Sequence, residues 1–229
     1  MRVKRLLIVA IMLIALSAAT AYAQPTGAKV TQGAQERGTV SITPGNATAA
    51  GGNITPVNLT SKTITEAWHG FYGQIVGNIT LEDSAGFRMY AWAFNQTGGE
   101  MFASRSNAVS WAVIAAHNDC TIDQDLTGTG SDRTNMTFTP SANTAFTVGG
   151  VPIGANSACT TYTYVNNASQ AADFEEVILF DNSTNTSVYT CLLELDTTGF
   201  DGGAYDFQII VPDNRTTAVE TYYFYAELS

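Results

Sequence analysis

The chain has 229 residues, of which 45% are hydrophobic and only 13% charged, and its formal net charge at pH 7 is −10. This composition excludes a globally disordered chain. The acidic excess argues against nucleic acid and against an anionic membrane surface as partners, because phosphate binding needs a basic face.

The first segment reads as a signal peptide over residues 1–23. Arg2, Lys4 and Arg5 form a positive start, Leu6 to Ala18 an apolar run, and Ala21-Tyr22-Ala23 places small residues at the positions a signal peptidase reads before Gln24. Losing the three cations takes the formal charge to about −13. No later stretch is long and apolar enough to predict a transmembrane segment. The expected location is outside the cytoplasm, secreted or at the cell surface.

Residues 24–65 read as a flexible N-terminal extension rich in Gly, Thr, Ala and Asn. Two short pieces inside it have strand character, Gly38 to Thr43 and Asn53 to Thr60. In the first, Val40 and Ile42 fall on one face at the period of a strand. Residues 66–229 read as the packed domain. Strands are expected over Phe71 to Leu81, Phe87 to Phe94 after the turn Asp83-Ser84-Ala85-Gly86, and Glu100 to Ser104. Ser110 to Ala116 is apolar but short, so helix and strand both fit. Thr121 to Asn143 reads as a long polar loop. Further strands are expected over Ala145 to Val148, Thr160 to Val165, Glu176 to Asp181, Val188 to Leu195, Ala204 to Val211 and Thr221 to Leu228. Short strands separated by Gly, Asn and Pro turns, with no strongly periodic helix, predict an all-β fold, a β-sandwich of immunoglobulin-like or jelly-roll-like type.

Ten sequons start at Asn46, Asn53, Asn58, Asn78, Asn95, Asn135, Asn167, Asn182, Asn185 and Asn214. Each is a candidate glycosylation site, and their spread predicts a coated surface. Three cysteines leave one over. Cys191 lies in an apolar strand-like run that suits a buried thiol, so the expected disulfide is Cys120–Cys159. Pairings through Cys191 are the alternatives.

Asp123, Asp125 and Thr127, followed by Gly128, begin a calcium-loop pattern, but Thr134 stands where a bidentate Glu is needed. They are the only metal candidates, and no other cofactor is expected. His69 and His117 have no ligand or base spacing. No nucleophile elbow or phosphate loop is present. Glu175 and Glu176 alternate across a strand and cannot act as one acid pair. No catalytic residues are assigned, and an enzyme is not expected. Trp68, Trp92, Trp111, Phe71, Tyr72, Tyr90, Tyr222, Tyr223, Phe224 and Tyr225 are core material first and a sugar-stacking surface second.

At Trp68-His69-Gly70-Phe71-Tyr72-Gly73, Gly77 to Leu81, Thr198 to Gly202, Tyr205 to Pro212 and Tyr222 to Tyr225, the chain resembles a family of secreted archaeal surface proteins. The resemblance covers roughly residues 51–229 and brings no catalytic residues with it. In architecture the chain is similar to secreted archaeal filament subunits, which insert an N-terminal strand into the next subunit's sheet. That similarity implies self-association as a surface component, with Thr39, Val40, Ser41, Ile42 and Thr43 as the first candidate donor strand and Ile54 to Thr60 as the second. An open sheet edge and a strand on an extension would supply the physics. The alternatives are that the extension is only a stalk or packs on its own domain. A secreted glycan- or ligand-binding β-sandwich module and a secreted hydrolase are the other functional readings, and a cell-surface glycan or the surface layer is a candidate contact.

Overall fold

The computed structural model describes residues 24–40, 43–93, 98–168, 172–214 and 219–229. In chain order the strands are β1 (Thr26–Gly27), β2 (Trp68–Gly73), β3 (Asn78–Glu82), β4 (Arg88–Ala93), β5 (Gly99–Ser104), β6 (Ile114–Ala116), β7 (Phe146–Val148), β8 (Val151–Ile153), β9 (Thr160–Tyr162), β10 (Glu175–Asp181), β11 (Thr186–Leu192), β12 (Thr197–Thr198), β13 (Ala204–Tyr205), β14 (Phe207–Pro212) and β15 (Tyr223–Leu228). A 3-10 turn at Trp111–Val113 and two single-turn helices, α1 (Gln124–Thr127) and α2 (Thr134–Thr137), complete the set. Every strand pair is antiparallel, and the fold is all-β.

The main sheet runs β1-β15-β5-β11-β10-β6, with β9 also paired to β10. Its centre is the β10–β11 hairpin, closed by a turn in which Asn185 takes φ 53°, a left-handed conformation that Asn tolerates. Both faces of this sheet are buried, which is why β10 and β11 read as continuous apolar runs. On one face Met101, Ala103, Ile178, Tyr189 and Cys191 pack against Ile209 and Val211 of the β2–β14 ribbon. On the other, Phe102, Val177, Leu179 and Val188 pack against Trp111, Val148 and Ile153. The result is a sandwich-like stack in which the main sheet is the shared middle layer.

The expected long strand from Phe71 to Leu81 divides. β2 ends at Gly73, Ile75 turns inward with its N–H donating to Asp206 Oδ2 at 2.8 Å, and β3 starts at Asn78. The ambiguous Ser110 to Ala116 run is both things in turn, a 3-10 turn and then a strand. The Thr121 to Asn143 loop carries α1 and α2, single turns too short to show a helical period. The expected strand Ala145 to Val148 is β7, and its hairpin partner β8, which the sequence reading lacked, follows a turn at Gly149 and Gly150 with φ 54° and 85°. Cys120 and Cys159 are disulfide-bonded with a Cα–Cα distance of 5.6 Å, and Cys191 is a buried free thiol in the same core cluster.

The signal-peptide reading, residues 1–23, lies outside the described residues, as do Ser41, Ile42 and Asn95. Thr39, Val40 and Thr43 are exposed and belong to no strand, and Ile54 to Thr60 is likewise exposed without strand structure. The extension instead contributes its first residues, as β1, to the sheet of its own domain.

Candidate functional site

The main sheet ends in β15, and β1 completes that edge. Thr26 pairs with Ala226 and Gly27 with Tyr225, after which the Ala28 N–H donates to the Phe224 carbonyl at 2.9 Å. Pro25 is buried, and a Cβ added at Gly149 would stand 3.4 Å from both Gln24 and Pro25. The β7–β8 turn therefore seats the start of the strand. Proline suits this position because an edge residue needs no N–H in the ladder. The Gly149 N–H itself donates to Glu227 Oε2 of β15 at 2.7 Å. Turn, edge strand and incoming strand thus form one seat.

Two residues cover only part of a six-residue edge. Beyond Gly27 an open groove of about 380 Å³ is lined by Ala28, Val30, Asn107 and Tyr222 to Tyr225. Its floor is anchored from below. Tyr225 packs on Trp111 with ring centroids 5.2 Å apart, and its hydroxyl donates to the Ser106 carbonyl at 3.0 Å.

A like-charged pair lies beside the seat. Glu227 is directly opposite Glu100 of β5, and both side chains are half-buried. Burial, with the Glu227 charge added, pushes the Glu100 carboxyl up to about 8. Burial also raises Glu227, opposed by the Gly149 N–H bond. A proton on Glu100 relieves the repulsion that two facing carboxylates would exert.

Of the candidate acceptors, Asn46, Asn53, Asn58, Asn78, Asn135, Asn167, Asn182 and Asn185 are exposed, and Asn214 is half-buried. Asn135 makes a local hydrogen bond, accepting from Arg133 at 2.7 Å, and Asn182 donates to the distant Val113 carbonyl at 3.1 Å.

The three calcium candidates fall into three settings. Asp123 is buried, with φ 55°, and its carboxylate faces inward. Arg105 Nη2 donates to its Oδ1 at 2.6 Å, and the Tyr189 hydroxyl donates to its Oδ2 at 2.9 Å. Asp125 is exposed. Thr127 is buried and lies 3.0 Å, oxygen to oxygen, from the Thr134 hydroxyl. Among the described residues no group of three or more His, Cys, Asp or Glu side chains is arranged to hold a metal.

Glu175 and Glu176 point to opposite faces of β10, as alternation requires. Glu175 accepts from the Thr144 N–H and hydroxyl at 2.7 and 2.8 Å, while Glu176 is fully buried and accepts from the Ile210 N–H of β14 at 2.9 Å. His69 and His117 sit against different rings, Phe71 and Phe180. The aromatics divide. Trp111 is buried, while Trp68 and Phe71 pack at the core margin on Phe138 and Phe224. Tyr72 meets Phe200 and Tyr205 at 4.8 Å each on the outer side, with Tyr72 and Phe200 exposed. Tyr90 and Trp92 are exposed on the β3–β4 hairpin. Sequence reasoning missed the Phe200–Tyr205 half of the outer cluster. β12 and β13 are two-residue strands that give no periodic signal.

No protein-family model matches the chain, and neither a curated protein nor a solved structure matches it.

Proposed function

We propose that the protein is an exported, glycosylated structural component of a cell-surface coat or filament, whose copies associate by exchanging the N-terminal strand. The observation that carries this reading is the seat on β15. A strand of two residues from the N-terminal segment covers part of a sheet edge, and no helix or strand follows it among the described residues until Trp68. A strand held by so few bonds on a long tether exchanges at low cost, and the identical seat on a neighbour offers the same contacts. In dilute solution the tether favours the intramolecular pair. At the densities of a surface array the intermolecular pair competes. The exposed sequons fit a glycan-coated component, and the resemblance to archaeal surface proteins supports the same setting.

The test is to place cysteines at Thr26 and Ala226, which face each other, mix isotopically light and heavy chains at high concentration, and oxidise. The expected result is mixed-mass crosslinks alongside fibres or oligomers in electron micrographs, both lost when residues 24–30 are deleted. Crosslinks confined to single chains at every concentration would overturn the reading.

A second reading rests on the outer cluster of exposed Tyr72 and Phe200 with half-buried Tyr205, whose hydroxyl donates to Asp201 Oδ2 at 3.0 Å. Aromatic faces beside a carboxylate are the chemistry of sugar stacking. On this reading the protein is a glycan-binding module. Glycan-array binding that survives enzymatic deglycosylation of the protein, and disappears in Tyr72→Ala, is the result that would favour it.

A further inference from the structure

The β3–β4 hairpin is set apart from the rest of the fold. Its strands pair only with each other among the described residues, and neither core cluster includes any of its side chains. An isolated two-stranded hairpin is marginal in water. Its two faces also differ. The register sets Ile79 opposite Trp92 and Leu81 opposite Tyr90, which puts these four on one face. All four are exposed, between 46% and 57%. The other face carries Asn78 and Thr80, with Thr80 opposite Ala91. Asn78 begins a sequon, so a glycan there would project away from the apolar face and leave it bare.

We propose that this apolar face is a self-association surface, occupied by the same face of a second copy related by a two-fold axis. One strand of the face is aliphatic and the other aromatic. A two-fold axis lying along the strands sets the Ile79 and Leu81 strand of one copy over the Tyr90 and Trp92 strand of the other. That arrangement is self-complementary, as an isologous contact requires, and it stacks two sheets in the aligned manner. The area is in keeping. With each aromatic side chain carrying about 150–250 Å², this face and the exposed Phe87 at the tip leave on the order of 500 Å² of apolar surface open. A standard-size interface takes about 800 Å² from each partner, a core of that kind plus a polar rim. The face carries no charge, whereas the chain as a whole is strongly acidic. Copies therefore repel at a distance and meet at the patch, so added salt strengthens the association by screening.

This proposal is independent of strand exchange. The test is sedimentation velocity of the full glycosylated chain over a concentration series, at low and high salt. The expected result is a reversible dimer, tighter at high salt, with a concentration-dependent blue shift of tryptophan emission that is absent in Trp92→Tyr. Leu81→Lys and Tyr90→Lys should each weaken the dimer at least about tenfold. Ala91→Lys on the opposite face, and deletion of residues 24–30, should change it by less than about twofold. A chain that stays monomeric throughout, or a dimer weakened equally by Ala91→Lys, would overturn the proposal. So would flotation of a monomer with neutral phosphatidylcholine vesicles, which would make the face a membrane contact.

Discussion

At the scale of single residues, buried polar groups hold the layers in register. Glu176 reaches from the middle sheet to the Ile210 N–H, and its other oxygen has no partner among the described residues. Burial raises this carboxyl well above the ordinary range. Its neutral form is therefore the one the fold accommodates, and ionising it at higher pH costs stability. Glu176→Gln should leave the melting temperature little changed near pH 5 and raise it near pH 8, as followed by circular dichroism. Asp123 instead anchors two donors, Arg105 and Tyr189. Asp123→Ala removes the acceptor of both Arg105 and Tyr189 and leaves at φ 55° a residue without the short polar side chain that makes this conformation tolerable. Its expected cost is about 3 kcal/mol in urea unfolding. Asp123→Asn keeps the tolerated backbone and one acceptor, so it should cost less.

At the scale of elements, the turn between β7 and β8 governs the edge strand. Gly149→Ala would impose a side chain at φ 54° against Gln24 and Pro25. Strain of about 1 kcal/mol or more is expected there. Hydrogen exchange of the Ala28 amide, bonded to Phe224, should accelerate while amides of β10 and β11 stay protected. Much of this architecture was legible in the sequence. Glu175–Asp181 and Thr186–Leu192 stand out because central strands need long apolar runs, Tyr223–Leu228 stands out by its aromatic residues, and the Asp83 to Gly86 turn marks β3–β4. The Cys120–Cys159 pair was legible because Cys191 alone sits in such a run. The edge strand was not. Thr26 and Gly27 have no alternation to read, since their place is set by the partner edge and by the Gly149 turn far along the chain. Val40 and Ile42 do alternate, but alternation states only that a strand could form and not where its partner lies. Likewise the aspartate spacing at Asp123 looked like ion binding, while Arg105, eighteen positions earlier, supplies the cation.

For the whole molecule, the carboxyl groups set a pH window. Glu100, at about 8 against an ordinary value of 4.5, binds more protons folded than unfolded between those limits. Stability from this group is complete below the unfolded value and falls as pH rises toward 8. Asp181 runs the other way. Burial pushes it up, but hydrogen bonds from Ser110, Ser183 and Thr184 outweigh that and hold it at about 2. Its contribution is present above the ordinary value of 3.8 and is lost as pH falls toward 2. Thermal melts should therefore peak between about pH 4 and 5 and decline toward pH 8. Removing the disulfide with Cys120→Ala and Cys159→Ala should cost about 4 kcal/mol, from the entropy of a loop of this length. The third sulfur gives that bond a kinetic side. Cys191 shares the core cluster with the bridged pair, and burial holds its thiol protonated, so exchange is barred once the sheet is closed. Before β10 and β11 pair, nothing bars it, and three single bridges can form. The middle sheet is thus also a lock on sulfur chemistry, and Cys191→Ala should refold oxidatively faster by removing two of the three routes.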